Sequence, residues 1–204
     1  MSNNDLANPG DAANKKRVIH LVNKTHIANP GPFGFWAFAM TTVLLNIHNA
    51  GFYPLSAMLL AMGIFCGGIS QIFAGIIEFK RGNAFGAVAF TSFGFFWLTL
   101  MFTLIKPWGV EATSDFSMGV YFIVWGVFTF FIFINSFKGN KATRVVFATL
   151  TLLYALLAAR DLTGSKFIAT MAGLEGIFCG LCAAYVALAE TLNEIWGKPV
   201  LPIG

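Results

Sequence analysis

Long apolar runs separated by short polar breaks decide most of what this chain can become. The runs span residues 33–48, 54–77, 84–105, 116–137, 145–159 and 167–192. A helix needs about 20 apolar residues to cross a bilayer. The first and fifth runs are short, but inside a bundle a helix need not be apolar over its whole length. Charge content points the same way: 11% of residues are charged, against about 25% in a soluble domain. The expected fold is all-α and membrane-integral, a bundle of six transmembrane helices per protomer.

The breaks set topology. They fall at 49–51, 78–83, 106–115, 138–141 and 160–164, and connections this short make neighbouring helices antiparallel. With the N-terminus inside, ten Lys and Arg residues face the cytoplasm and three (Lys106, Arg160 and Lys166) face out. The positive-inside rule therefore places both termini in the cytoplasm, and the expected location is the plasma membrane. The net charge of +4 reads as this topology signal, and no nucleic-acid partner is expected. Residues 1–28 form a basic cytoplasmic tail, 29–197 the membrane transport domain and 198–204 a cytoplasmic C-terminal tail. Within the first tail, 13–24 reads equally as an amphipathic segment on the inner leaflet or as a frayed end. No leader pattern precedes the first run, so that run is expected to be retained as a helix.

Polar residues at membrane depth mark either a pathway or the contacts that hold helices together. The first run holds Thr41, Thr42, Asn46, His48 and Asn49. Phe38, Thr42, Leu45 and Asn49 follow i, i+4, i+7, i+11 and share one helix face, which Thr41 and Asn46 widen. Such a stripe offers hydroxyl and amide donors without fixed charge. A carboxylate leaving water needs donors of that kind, held loosely enough to release it. In the second run Gln71, Gly75 and Glu78 share a face. Glu78 reads as a partner for Lys80 or Arg81, or as a proton site. Glu175 lies in the sixth run and Arg160-Asp161 ends the fifth. Arg160 is expected to pair with Glu175 or Asp161, or to draw anions to a mouth, and Glu175 reads also as a proton site. His48 reads first as a hydrogen-bonded helix-end residue and second as a proton site. Glu190 and Glu194 are expected to be solvated.

Other patterns are structural. Gly63 and Gly67, with Gly68 and Gly75, form one small-residue stripe; Ala169, Gly173, Gly176, Gly180 and Ala184 form another. They serve packing within a protomer or between copies. Cys179 and Cys182 have no nearby His or third Cys and read as small packing residues. Three cysteines make no disulfide framework. No phosphate-binding Gly loop, metal-binding His/Glu pair or nucleophile with a base is visible, so neither an enzyme, a metal nor a cofactor is expected.

Asn29-Pro30-Gly31-Pro32-Phe33-Gly34-Phe35 resembles the Asn-Pro-x-Pro-(apolar)-Gly-(apolar) motif that opens the acetate uptake transporter family. The likeness continues through 40–52, 67–75, 119–121, 125–129 and 200–204, in order, from about Ala28 onward. The resemblance implies a hexameric ring of six-helix protomers, each with its own pore. It implies movement of acetate, and in some members succinate, down a gradient or with protons. It also implies an apolar constriction at Phe38, Phe93 and Leu150, with Phe93 standing where the family has Tyr. Ala183 matches a small pore-side position that affects substrate size. Glu175 and Arg160-Asp161 depart from the bacterial members, which carry an apolar residue and a Gly-Asn pair there. The expected function is passage of acetate and related small carboxylates through a gated pore, with Thr41, Thr42, Asn46, Asn49 and Gln71 touching the substrate. Expected partners are the small carboxylate, the lipid bilayer and further copies of the chain. Two alternatives stay open: a pore for a small neutral solute such as urea or an amide, and a non-transporting membrane sensor or scaffold.

Overall fold

The computed structural model describes residues 27–105 and 111–204. The 13–24 stretch and the start of the 106–115 break lie outside the described residues. Helices α1 (Gly31–Asn49), α2 (Ala57–Arg81), α3 (Ala84–Ile105), α4 (Asp115–Ser136), α5 (Lys141–Thr163) and α6 (Lys166–Trp196) follow in order. No strand occurs among the described residues.

Helix ends follow local chemistry. Ser114, Asn140 and Ser165 each accept a hydrogen bond from a first-turn backbone N–H, which satisfies donors that a helix start leaves free. Gly164 and Gly197 close α5 and α6 at φ 65° and 62°, a left-handed conformation that costs glycine little. These caps make α5 longer than its apolar run: it extends to 23 residues because the charged turns at each end stay helical.

Helices α2 to α6 are long and apolar enough to cross a bilayer. The polar α1 falls short on composition, yet its 19 residues reach about 28 Å at the helical rise. Its polar groups are tolerated because protein covers them: Thr41, Thr42 and Asn46 are all buried. The chain is therefore a multi-pass membrane protein. Large Phe side chains such as Phe65, Phe116 and Phe178 point outward, as a lipid-facing belt requires.

α1 packs along α6, α2 along α3, and α5 between α4 and α6. Both small-residue stripes face inward to these contacts. A Cβ on Gly67 would lie 2.7 Å from the Trp97 ring, and one on Gly68 2.5 Å from Leu98. Gly173, Gly176 and Gly180 lie against Ala50, Asn46 and Val43 of the first helix and its end. The stripes thus bring backbones together inside one chain. The middle of α2, Met62–Ser70, is a π-helix, an irregularity common at functional positions.

Candidate functional site

Three voids lie in a row where α1, α3 and α5 face one another. The near end is the end that carries the start of α1 and the end of α6, since a Cβ on Gly31 would lie 3.0 Å from a Glu190 carboxylate oxygen. There a cavity of about 430 Å3 is bordered by Asn29, Glu78, Arg81, Asn140 and Glu190. At the far end a cavity of about 190 Å3 is bordered by Thr42, Asn46, Asn49, Trp97, Tyr154 and Arg160. Between them lies a void of only about 10 Å3, bordered by Phe35, Phe38, Gln71, Phe90, Phe93 and Leu150, among others. Phe35 and Phe90 border the near and middle voids; Phe38 and Leu150 border the middle and far ones.

The waist is dry by construction. Phe38, Phe93 and Leu150 are 4%, 3% and 3% exposed. Phe93 is held by Phe38 at 6.3 Å, Trp125 at 6.3 Å, Phe128 at 5.6 Å and Phe147 at 6.1 Å between ring centroids. A void near 10 Å3 is at the lower limit for one water, so a hydrated ion cannot pass until these side chains move.

The family motif has a physical job at the near end. Asn29 Oδ1 accepts from the Gly31 backbone N–H and from Arg81 Nη1, at 3.1 and 2.7 Å. It therefore ties the start of α1 to the end of α2. Pro30 stands at the N-cap and Pro32 in the first turn, where a missing N–H is not felt. A Cβ on Gly34 would lie 2.6 Å from the Phe90 ring. Glu78 is buried and pairs with Arg81 at 3.3 Å. Glu190 is half-buried at the near cavity instead of fully solvated, because the start of α1 packs beside its carboxylate. Glu194 is exposed.

On α1, Phe38, Thr42, Leu45 and Asn49 all border the far cavity, joined by Asn46 and His48. Thr41 faces α2 instead. Its hydroxyl donates to the Ala37 and Met62 carbonyls at 2.9 and 3.3 Å. Asn46 Nδ2 donates to the Thr42 carbonyl at 2.9 Å, and Asn49 Nδ2 donates to Asn46 Oδ1 at 3.1 Å. His48 Nδ1 lies 2.8 Å from the Tyr53 carbonyl, a helix-end contact. Gln71 borders the middle void and donates to the Gly67 carbonyl at 2.7 Å. Ala183 is fully buried and borders none of the three voids.

Arg160 pairs with Asp161 through two hydrogen bonds, at 2.6 and 3.0 Å. Glu175 takes no part in that pair: both its carboxylate oxygens are buried without a hydrogen-bond partner among the described residues. The same is true of three groups on far-cavity residues, the Thr42 hydroxyl, the Trp97 indole N–H and the Tyr154 hydroxyl. Sequence reasoning passed over Trp97 and Tyr154. The available signal was an aromatic with a polar tip inside an apolar run, which needs a partner once buried.

These features define a multi-pass helical membrane protein with a void on each side of an apolar waist. The chain belongs to the GPR1/FUN34/yaaH family, whose model matches residues 11–197. It is 50% identical over 185 residues to the succinate-acetate/proton symporter SatP of Escherichia coli K12, covering 90% of this chain and 98% of that one. It is 32% identical to the ammonia transport outward protein 2 of Saccharomyces cerevisiae, covering 79% and 61%. The structure of the bacterial acetate channel SatP matches with a TM-score of 0.86 at 50% identity, covering 87% of this chain and 99% of that one.

Proposed function

We propose that this chain passes acetate and related small carboxylates, succinate included, across the plasma membrane through a pore in each protomer. The observation that carries the reading is the row of voids: an aqueous-sized cavity at each end and a waist of about 10 Å3 at Phe38, Phe93 and Leu150. The functions of SatP, as succinate-acetate/proton symporter and as acetate channel, support it. The chain acts as a conduit and makes or breaks no covalent bond in its cargo.

The waist sets the mechanism. An apolar ring penalises a charged, hydrated ion, so cargo crosses when the rings rotate aside, either stripped of water or as the neutral acid. Donors beside the waist offset the lost water, and their lack of fixed charge lets the cargo leave. In our reading the near end is cytoplasmic and both termini lie there, as the ten-to-three Lys and Arg split favours. We also propose the hexameric ring that the family resemblance implies.

Uptake of radiolabelled acetate into proteoliposomes, with unlabelled succinate or urea as competitor, tests the reading. Saturable acetate uptake that succinate lowers and urea leaves alone is the expected result. No acetate uptake from folded protein would sink it.

A further inference from the structure

One cation at the near end has no acid. Arg144 stands in the first turn of α5, its guanidinium 4.4 Å from the centre of the Phe137 ring just past the end of α4. Its Nη2 donates to the Phe137 carbonyl at 3.4 Å. No carboxylate pairs with it among the described residues. Of the acids described at this end, Glu78 is taken by Arg81, Glu190 borders the near cavity, and Glu194 alone is exposed. Lys141, three residues before Arg144, is its neighbour on the helix surface and is exposed. Neither Lys141 nor Arg144 borders any of the three voids.

Beside the two cations the surface turns apolar. Phe130, Ile134 and Phe137 follow i, i+4, i+7 on one face of α4 and are all roughly half exposed. Val145 and Leu152 follow Lys141 at i+4 and i+11 on its face of α5 and are exposed to the same degree. The contact of Arg144 with Phe137 joins the two faces. A charged spot therefore heads an apolar strip about 10 Å long at the helical rise.

We propose that Lys141 and Arg144 bind the phosphodiester headgroup of an anionic glycerophospholipid, whose acyl chains lie along this strip. The shape of the site matches the shape of the lipid, charge at the surface and hydrocarbon beneath it. A guanidinium meets phosphate oxygens in pairs. The Phe137 ring holds it in place before a headgroup arrives, and the apolar stems of both cations lie against the strip while their heads stay at the surface. A soluble anion would use the cations and leave the strip uncovered. A second copy of the chain fits less well, since it would have to bury both cations, and the one exposed acid described at this end is Glu194 on α6. The bound lipid would fasten α4 to α5 at the membrane surface, outside the pore. The site is independent of which solute the pore carries.

The test uses purified full-length protein in neutral detergent. Phosphatidylglycerol is the anionic probe, phosphatidylcholine the neutral one and inorganic phosphate the free anion. Native mass spectrometry reads bound lipid, and thermal melts read stability. Wild type should hold phosphatidylglycerol more tightly than phosphatidylcholine and gain Tm from it, while phosphate at the same concentration gives no gain. Each basic residue at a membrane surface is worth about fivefold in affinity for anionic lipid. Arg144→Gln should lose about that much, and Lys141→Gln with Arg144→Gln about 25-fold, with phosphatidylcholine binding unchanged. If Arg144→Gln does not fold, Lys141→Gln alone reads the site through its own fivefold loss. Lys166→Gln is the control, because it removes an exposed cation at the other end; it should bind phosphatidylglycerol as wild type does. Equal phosphatidylglycerol binding by wild type and the double variant would overturn the proposal. So would an equal loss in Lys166→Gln, which means diffuse attraction, or a Tm gain from phosphate alone, which means a free-anion site. A changed oligomeric state in the double variant with lipid binding intact would overturn it in favour of an interface between copies.

Discussion

The two cavities are built on opposite principles. At the near end the polar groups are spent on one another: Arg81 serves both Asn29 and Glu78, and Asn140 caps α5. At the far end they bond within their own helix: Asn46 to the Thr42 carbonyl, Asn49 to Asn46 and Arg160 to Asp161. The near cavity is also the larger, at about 430 against 190 Å3. The difference teaches that charge near a pathway need not handle cargo. Fixed charge at the near end fastens one helix to another, while the far-end polar groups bond within their own helix.

Substitutions can break that contrast. Arg81→Ala has the largest expected effect on stability. It leaves the buried Glu78 without its cation and should cost roughly 2–4 kcal/mol, below the full buried-pair penalty because Arg81 is partly exposed. Thermal melts read the loss; acetate KM per folded protein should hold. Phe93→Ala comes next. Deleting the central ring should cost about 3 kcal/mol and merge the voids, so uptake should rise several-fold and the larger succinate should gain more than acetate. An unchanged succinate-to-acetate ratio would remove Phe93 from the waist's role.

Adjacent threonines sharpen the contrast further. Thr41→Val removes a donor that bridges to the Met62 carbonyl and should cost about 1 kcal/mol with KM unchanged. Thr42→Val removes a buried hydroxyl that has no hydrogen-bond partner among the described residues; Tm should stay level or rise. If the two variants lose stability alike, the Thr42 hydroxyl holds structure as that of Thr41 does. Asn193→Ala acts far from the waist. Its side chain holds the backbone of Val200 and Leu201 at the near end, and its loss should cost about 1 kcal/mol without altering uptake, read by melts and flux together.

Much of the architecture was legible because hydropathy and loop length carry it directly. Even the first helix face could be placed, since the spacing of Phe38, Thr42, Leu45 and Asn49 sets them on one stripe whatever covers it. What covers the stripe was not readable. Thr41 and Thr42 are neighbours in sequence, yet the Thr41 hydroxyl reaches the Met62 carbonyl while the Thr42 side chain borders the far cavity, and α1 mixes polar and apolar positions too evenly to present one dominant face. Arg160 had two acids within plausible reach, and only the three-dimensional packing puts it on Asp161. Nothing in the sequence beyond their polar tips marks Trp97 and Tyr154, because the orphaning of those tips depends on what neighbouring helices fail to offer. The π-helix in α2 gave no sequence signal beyond its glycines, which also suit plain close packing.

The central claim is that a pore runs through each protomer and that the apolar waist gates it. Side-by-side uptake of radiolabelled acetate by proteoliposomes holding wild type or Phe93→Trp tests it most directly, with flux normalised to folded protein. Saturable uptake by wild type and near-background uptake by Phe93→Trp is the predicted result. Equal uptake by the two proteins would contradict the claim, because cargo would then be crossing somewhere other than the waist.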